Sequence, residues 1–148
     1  MIEPKRLAIR RQDIVAAARA WVGTPYHHQQ SRLGVGADCL GLVRGVGRQL
    51  YGREAESPPA YSRDWAEASG IETMLEAARR HFDPIAVSDM AAGDVIVFRL
   101  RGGTVAKHAG IVATAETMIH AMEGGPVTEV ALSAWWRRRI AGVFRFRN

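Results

Sequence analysis

The spacing of apolar residues changes shortly after the middle of the chain, and this change is the strongest constraint on the fold. Up to His81 the apolar side chains recur at the three- and four-residue spacing of amphipathic helices. From Asp94 onward they fall into short runs bounded by turn residues, which is typical of β-strands. Because the helices precede the strands instead of alternating with them, the sequence predicts an α+β domain with an antiparallel sheet.

The first part of the chain is predicted to form three helices, each with one apolar face. The polar stretch 27–37, between the first two helices, is predicted to be a flexible loop. The predicted bounds rest on capping residue types and on glycine or proline. The first helix is capped by Asp13 and ends before Gly23 and Pro25, the second runs from Cys39 to about Tyr51, and the third runs from about Gly70 to His81, where Asp83–Pro84 ends it.

The second part of the chain is predicted to form an antiparallel meander, with a loop at Arg101–Thr104 and a short turn after Ser133. A chain of 148 residues is long enough to bury one proper core. No internal repeat is visible, so residues 1–148 are predicted to be a single domain. The predicted strands are Asp94–Arg99, Lys107–Ala113, Thr117–Met122, Val127–Leu132 and Ile140–Arg147.

Cys39 is the only cysteine of the chain, and it lies where the second helix is predicted to begin. Asp38 precedes it and is a residue type that caps helices through its carboxylate. The aligned peptide dipoles at a helix start favour negative charge, so we expect a lowered pKa for the Cys39 thiol and a nucleophilic thiolate. The alternative is that Cys39 is a small buried residue, because it also lies on the apolar stripe of its own helix.

A nucleophilic cysteine needs a base within hydrogen-bond reach and a second polar group that orients this base. His108 and His120 fit these roles, because each lies within a predicted strand and neighbouring strands can hold them side by side against the helix of Cys39. His27 and His28 lie in the polar loop. The alternatives are two core histidines, or a zinc site with Cys39, for which no close-spaced pair of ligands is present. We therefore predict no metal and no other cofactor.

The chain carries a formal net charge of +5 and has a pI of about 10.1. A basic chain can bind nucleic acid, an anionic polymer or an acidic protein surface. Nucleic acid is not expected, because the arginines are scattered and no nucleic-acid-binding motif is present. No membrane span is expected, and Met1–Arg11 is too charged for a secretory signal. We therefore expect synthesis in the cytoplasm, and a carrier if the protein acts outside it.

Several segments, taken in order, resemble the NlpC/P60 family of cell-wall cysteine peptidases. Asp38–Val43 is similar to the family's nucleophile motif, and His120 falls where its third catalytic residue is expected. The other similar segments are Trp21–Tyr26, Gly93–Phe98 and Lys107–Val112. The likeness extends over nearly the whole chain.

The resemblance implies a papain-like fold, with the nucleophile at a helix start packed on an antiparallel sheet. Its implied catalytic residues are Cys39 as nucleophile, His108 as base and proton donor, and His120 as the group that orients His108. Tyr26 resembles a family tyrosine near the nucleophile, which helps there or holds substrate. Asp38 is expected to cap the helix, with a substrate amine as its alternative contact. The backbone N–H of Cys39 is a candidate oxyanion donor.

The implied substrate is the stem peptide of peptidoglycan, cleaved at the bond between D-γ-glutamate and the diamino acid. Two positions depart from the family pattern: Leu40 replaces a serine, and His27–Gln30 replaces a Gly-Gly pair. The likeness is strongest to short members encoded with phage tails and gene-transfer particles, which also end in a segment like Trp135–Arg139 and a final strand. This subgroup implies tail proteins as partners and a phage-like tail as the carrier. Alternatives are a catalytically silent tail-tip component, or a thiol acyltransferase or amidase on the same fold.

Overall fold

The computed structural model describes residues 9–53, 72–102 and 104–148. Within these ranges the chain forms an α+β fold, as predicted, and none of its helices is both long and apolar enough to cross a membrane. The helices are α1 (Arg11–Ala20), α2 (Cys39–Tyr51), α3 (Thr73–His81) and α4 (Ala134–Arg137). The strands are β1 (Ser31–Arg32), β2 (Gly36–Ala37), β3 (Phe82–Ile85), β4 (Val95–Phe98), β5 (His108–Thr114), β6 (Thr117–His120), β7 (Thr128–Ala131) and β8 (Ile140–Phe146).

The main sheet is antiparallel and has the strand order β3-β8-β4-β5-β6-β7. Strands β4 to β7 form the predicted meander, and the five predicted strands lie within two residues of β4–β8. The expectation of an uninterrupted meander is wrong for β8, which returns to lie between β3 and β4. The reason is burial: all four residues of β4 are buried, so this strand needs a neighbour at each edge, and β8 supplies Val143 and Phe144 to the core.

Side chains from both faces of the sheet are buried. Val95 and Val97 of β4 pack in a large cluster with α1, α2 and α3, whereas Ile96 and Phe98 pack in a smaller cluster with Met118 and Leu132. Trp136 of α4 packs against this second cluster. Because successive strand residues point to opposite faces, the continuous apolar run of β4 follows from its cover on both faces.

The start of β4 is fixed by the buried carboxylate of Asp94. It accepts hydrogen bonds from the backbone N–H of Ala91 at 2.8 Å and from the Arg145 guanidinium at 2.8 and 2.9 Å. Arg11 of α1 lies 3.8 Å from the same carboxylate. Asp94 therefore joins α1, β4 and β8, which gives the Gly-Asp pair at the start of this strand a structural role.

Asp13 does not cap α1, contrary to the prediction. The helix begins at Arg11 with Arg10 in the cap position, and Asp13 lies in the first turn, 3.1 Å from the Arg10 guanidinium. A carboxylate in the first turn still interacts favourably with the helix dipole. The helical spacing therefore located α1 correctly, but its first residue was misassigned.

The third predicted helix is α3, which ends at His81 as expected, while Gly70 at its predicted start lies outside the described residues. Asp83–Pro84 does not lead into a loop. It lies inside β3, which pairs with β8 at the edge of the sheet. Proline is tolerated there because one side of an edge strand needs no backbone donor.

Residues 27–37 are also more ordered than the sequence predicts. Strands β1 and β2 form a small hairpin, and the N–H of Gly34 at its tip donates to Thr24 Oγ1 at 3.0 Å. Tyr26 forms a bridge with Ala37, two residues before Cys39. Strands of two residues have no periodicity that a sequence could reveal.

Helices α1 and α2 pack closely at Gly45, where an added Cβ would overlap the indole of Trp21. Gly47, in the same helix, has room, since its added Cβ would lie 3.8 Å from Phe146. Alanine in place of glycine in a helix stabilises by up to about 1 kcal/mol, whereas overpacking a core costs about 1–3 kcal/mol.

We expect Gly45→Ala to lower the free energy of unfolding by about 1–2 kcal/mol because the overlap outweighs the gain in helix propensity. Gly47→Ala is the matched control and is expected to raise it. Urea unfolding followed by circular dichroism measures both. Equal stabilisation by the two substitutions would contradict the close packing of α1 on α2.

Candidate active site

The sequence-predicted site residues meet at one end of the sheet. Phe98 ends β4 and pairs with His108, the first residue of β5. His120 ends β6 at the same end of the sheet. Helix α2 packs on β5 and begins there with Cys39. The antiparallel pairing of β4, β5 and β6 thus brings together residues that are far apart in the chain.

His108 and His120 are joined by a hydrogen bond between His108 Nε2 and His120 Nδ1, which lie 2.8 Å apart. Only 5% of His108 and 6% of His120 are exposed. The predicted side-by-side placement of the two imidazoles is therefore confirmed. Because Nε2 of His108 is engaged with His120, Nδ1 is the nitrogen that can take a proton from a thiol.

The sulfur of Cys39 lies beside the backbone on both sides of His108. Cys39 Sγ is 3.9 Å from the carbonyl oxygen of Lys107, and the N–H of Ala109 is directed at the sulfur. The hydrogen bonds described for the thiol are thus with the backbone of Lys107 and Ala109. His108 is the residue between these two in the chain. Catalytic hydrogen bonds in ligand-free sites often tighten only when substrate binds.

The pKa of the Cys39 thiol is raised to about 12, first by burial and then by the nearby Asp38 carboxylate. The N–H groups of Ala109, Leu40 and Cys39 itself act in the opposite direction and lower this pKa, but by less. The prediction of a lowered thiol pKa is therefore wrong. Its physical basis is present, but desolvation of the thiolate outweighs the helix-start donors.

The two histidines are also kept neutral. Burial lowers the pKa of His108 to about 3, with a smaller contribution from the neighbouring His120, and burial lowers the pKa of His120 as well. At neutral pH the resting site thus holds a thiol and two uncharged imidazoles. The predicted thiolate–imidazolium pair is not its resting state.

Asp38 caps α2, as predicted. Its Oδ1 accepts a hydrogen bond from the N–H of Gly41 at 2.8 Å, and its Oδ2 accepts one from the N–H of Gln29 at 2.8 Å. His28 Nδ1 lies 4.0 Å from the same carboxylate. Asp38 is buried, so its carboxylate fixes the loop before Cys39 onto the start of α2.

Tyr26 is paired with Ala37, two residues before the nucleophile, and Leu40 directly follows it in the chain. Tyr26 is held by its bridge to Ala37 and packs, partly buried, against the larger core cluster. Leu40 packs against the same cluster, so an apolar contact replaces the hydroxyl of the family's serine. The substrate contacts of Tyr26 and Asp38 stay predictions.

No group of three or more His, Cys, Asp or Glu side chains in residues 9–53, 72–102 and 104–148 is arranged to hold a metal ion. Cys39, His108 and His120 thus do not form a metal-binding group. The chemistry that their arrangement supports is attack of the sulfur on an acyl carbon while the thiol proton passes to an imidazole.

Trp136 contacts the histidine pair, a placement that the sequence did not predict. Its ring centroid lies 5.5 Å from that of His108 and 5.2 Å from that of His120. The sequence places Trp136 correctly in a short turn. Its contact with the histidines depends on how that turn packs on the sheet, and nothing in the local pattern shows this.

The NlpC/P60 family profile matches residues 23–145 of the chain. The gamma-DL-glutamyl hydrolase of Bacillus subtilis (strain 168) is 30% identical over 136 residues, which are 91% of this chain and 29% of that protein. The chain thus spans less than a third of this relative's length.

Solved structures show the same fold. The NlpC/p60 domain of the peptidoglycan hydrolase SagA superposes with a TM-score of 0.67 at 24% identity, covering 93% of this chain and all of that one. The peptidoglycan hydrolase RipB from Mycobacterium tuberculosis superposes with a TM-score of 0.60 at 20% identity, covering 93% of this chain and 65% of its own. The fold, the profile match and the arrangement of the cysteine and histidines agree, and the chain belongs to the NlpC/P60 family of cysteine peptidases and hydrolases.

Proposed function

We propose that this domain is a thiol endopeptidase that hydrolyses amide bonds in the stem peptides of peptidoglycan. The bond proposed is that between D-γ-glutamate and the diamino acid. The observation that carries the proposal is the position of Cys39 at the start of α2, with its sulfur 3.9 Å from the carbonyl oxygen of Lys107, the residue before His108 of the His108–His120 pair. The names of the B. subtilis relative and of two structural neighbours, a γ-glutamyl hydrolase and two peptidoglycan hydrolases, support the substrate class.

The proposed reaction begins from the neutral site. As Cys39 Sγ attacks the carbonyl carbon of the scissile amide, its proton passes to Nδ1 of His108, so that no free thiolate is required. The backbone N–H of Cys39, at the helix start, donates a hydrogen bond to the oxyanion. His108 then gives the proton to the leaving amine, the C–N bond breaks, and a thioester remains on Cys39.

Water completes the cycle. His108 takes a proton from a water molecule, whose oxygen attacks the thioester carbon and releases a carboxylic acid. The proton returns to the sulfur, which restores the thiol. His120 accepts the hydrogen bond from Nε2 of His108 throughout, and it stabilises the imidazolium that forms in each half-reaction.

We propose further that a phage tail or a gene-transfer particle carries the domain to the cell wall, with tail proteins as its partners. The likeness of Trp135–Arg139 to the ends of short tail-encoded family members supports this. Trp135 is 42% exposed, and tryptophan and arginine are frequent at protein interfaces. In this account the chain is synthesised in the cytoplasm and acts at the wall.

Digestion of purified muropeptides tests the substrate. We expect fragments with a new free amine on the diamino acid and intact glycan strands, because the thiol mechanism transfers acyl groups from amides. Mass spectrometry detects both products, and Cys39→Ala is the inactive control. New reducing sugar ends, products that persist in Cys39→Ala, or transfer of the acyl group mainly to an added amine would contradict the endopeptidase. No fragments from a domain whose thiol is unreactive would favour the silent tail-tip component.

Substitution of the histidines tests their separate roles. His108→Ala should lower kcat by about 10²–10⁴, since the proton carrier is lost. His120→Ala should lower it less, and His120→Asn should restore part of the loss by accepting the hydrogen bond of His108. The exposed His27 supplies the control, His27→Ala. Full activity in His120→Ala together with inactive His27→Ala would mean that the wrong histidine has been assigned.

The pH dependence of Cys39 reactivity tests the neutral resting site. Because burial raises the pKa of the thiol to about 12, alkylation by iodoacetamide should still accelerate above about pH 10, where an ordinary thiol with a pKa of about 8.5 has levelled off. Because the pKa of His108 is lowered to about 3, the acidic limb of kcat/KM should lie below pH 6.5. An alkylation rate that is high at pH 7 and rises no further at higher pH would instead indicate a thiolate–imidazolium pair.

A further inference from the structure

The indole of Trp136 lies against both imidazoles of the site. Its plane makes an angle of 29° with His108, at 5.5 Å between ring centroids, and an angle of 87° with His120, at 5.2 Å. Trp136 also meets Phe98 edge-on at 4.9 Å. One half-buried ring therefore stacks on the first histidine and meets the second edge to face, so it limits the rotation of both.

Helix α4, which carries Trp136, is held in place by its neighbouring arginines. Four residues are too few for a stable helix, so its position depends on contacts with the rest of the fold. Arg137 donates hydrogen bonds to the carbonyl oxygens of Leu132 and Ala115, each at 2.9 Å. Ala115 lies in the turn between β5 and β6, the two strands that carry the histidines.

Arg139 fixes the other side of α4. Its guanidinium donates to the carbonyl oxygens of Trp135 at 2.7 Å and Leu100 at 3.3 Å, and it stacks 3.7 Å above the centre of the Trp135 ring. The carbonyl oxygen of Arg139 accepts a hydrogen bond from the N–H of Arg99, just beyond the end of β4. Two of the three consecutive arginines thus anchor the turn to the strands of the site, rather than forming only a solvated basic face.

We propose that Trp136 is a positioning residue of the active site, which orients the His108 ring and keeps water away from the His108–His120 hydrogen bond. Arg137 and Arg139 act through it by holding α4 on the sheet. The proposal deepens the proposed function, on which its kinetic part rests. It assigns the Trp-Trp-Arg-Arg-Arg segment a role within the domain, which is to position the active-site histidines.

Two physical effects of the indole support this role. Exclusion of water favours the neutral imidazoles of the resting site and strengthens the hydrogen bond between them. When His108 takes a proton from Cys39, the stacked face of the indole attracts the new imidazolium by a cation–π interaction. Within the described part of the chain, the titratable groups near His108 are His120 on β6 and Cys39, whose sulfur lies beside the Lys107 carbonyl. Trp136 adds no charge of its own, so it changes their balance only through solvation and its ring.

The first test needs no substrate. It measures by NMR the chemical shifts of the histidine ring protons in the whole chain. In the parent protein we expect the His108 ring protons to be displaced upfield by the indole, relative to those of the exposed His27. In Trp136→Leu this displacement should become smaller, because only the rings of Phe98 and His120 remain beside His108. The pH at which His108 and His120 titrate should rise, because the water that reaches the rings stabilises the imidazolium more than the lost contact with the indole did. Trp136→Phe should give intermediate values. Arg138→Ala, at an exposed side chain on the same turn, serves as the control.

The second test compares kcat and KM for cleavage of a muropeptide. Trp136→Leu should lower kcat by about tenfold and leave KM nearly unchanged, because the His108 ring is no longer held in position for proton transfer. The acidic limb of its pH profile should move to higher pH. Trp136→Phe should recover most of the loss, and Arg138→Ala should behave as the parent does. Circular dichroism shows whether each variant is folded, and if Trp136→Leu is not, Trp136→Phe decides through its smaller shifts.

The proposal is overturned if the His108 protons of the parent show no ring-current displacement. It is also overturned if a folded Trp136 variant keeps the histidine titration and kcat of the parent, or if Arg138→Ala changes both as much. If the parent cleaves no muropeptide, the proposed function fails. The NMR experiment still shows whether Trp136 contacts the two histidines and changes the pH at which they titrate.

Discussion

Two neutral imidazoles share a hydrogen bond of 2.8 Å in a part of the protein from which water is largely excluded. A buried polar group that loses its partner costs roughly 1–3 kcal/mol, because water does not replace the bond. The pairing of His108 with His120 therefore fixes the position of the base. In the proposed mechanism His108 is the donor of this hydrogen bond, which leaves its Nδ1 free to take a proton. The strand register brings the two imidazoles together, and the indole of Trp136 covers them.

The same burial decides the charge state of the nucleophile. A helix start favours an anion by only about 0.3–1 kcal/mol, whereas each pKa unit corresponds to about 1.4 kcal/mol. Against a thiol pKa of about 12, the dipole of α2 is too weak to hold a thiolate at Cys39. The helix start contributes instead by placing the sulfur beside β5, and in the proposed mechanism the N–H of Cys39 donates to the oxyanion. In this account the charge appears only in the transition state, where His120 and the indole of Trp136 can stabilise it.

Much of the fold could be predicted from local patterns, because α2, its Asp38 cap and the strands β4 to β7 each have a periodicity or a turn signal of their own. The return of β8 to β4 could not be predicted, since pairing between distant strands depends on which neighbours bury a fully apolar strand. The hairpin β1–β2 is too short to have a pattern. For the site, the meeting of His108 and His120 followed from adjacent strands. The direction of the Cys39 pKa did not, because desolvation depends on tertiary packing and the sequence shows only the helix start.

The central claim is that the site rests as a neutral thiol and a neutral pair of imidazoles, with the proton moving only during attack. Nitrogen-15 NMR of the histidine rings in the resting protein at pH 7 tests it most directly. The account predicts that His108 is uncharged, with its proton on Nε2 and a free lone pair on Nδ1, and that His120 is uncharged as well. A doubly protonated His108 ring, or a His108 with its proton on Nδ1, would contradict it.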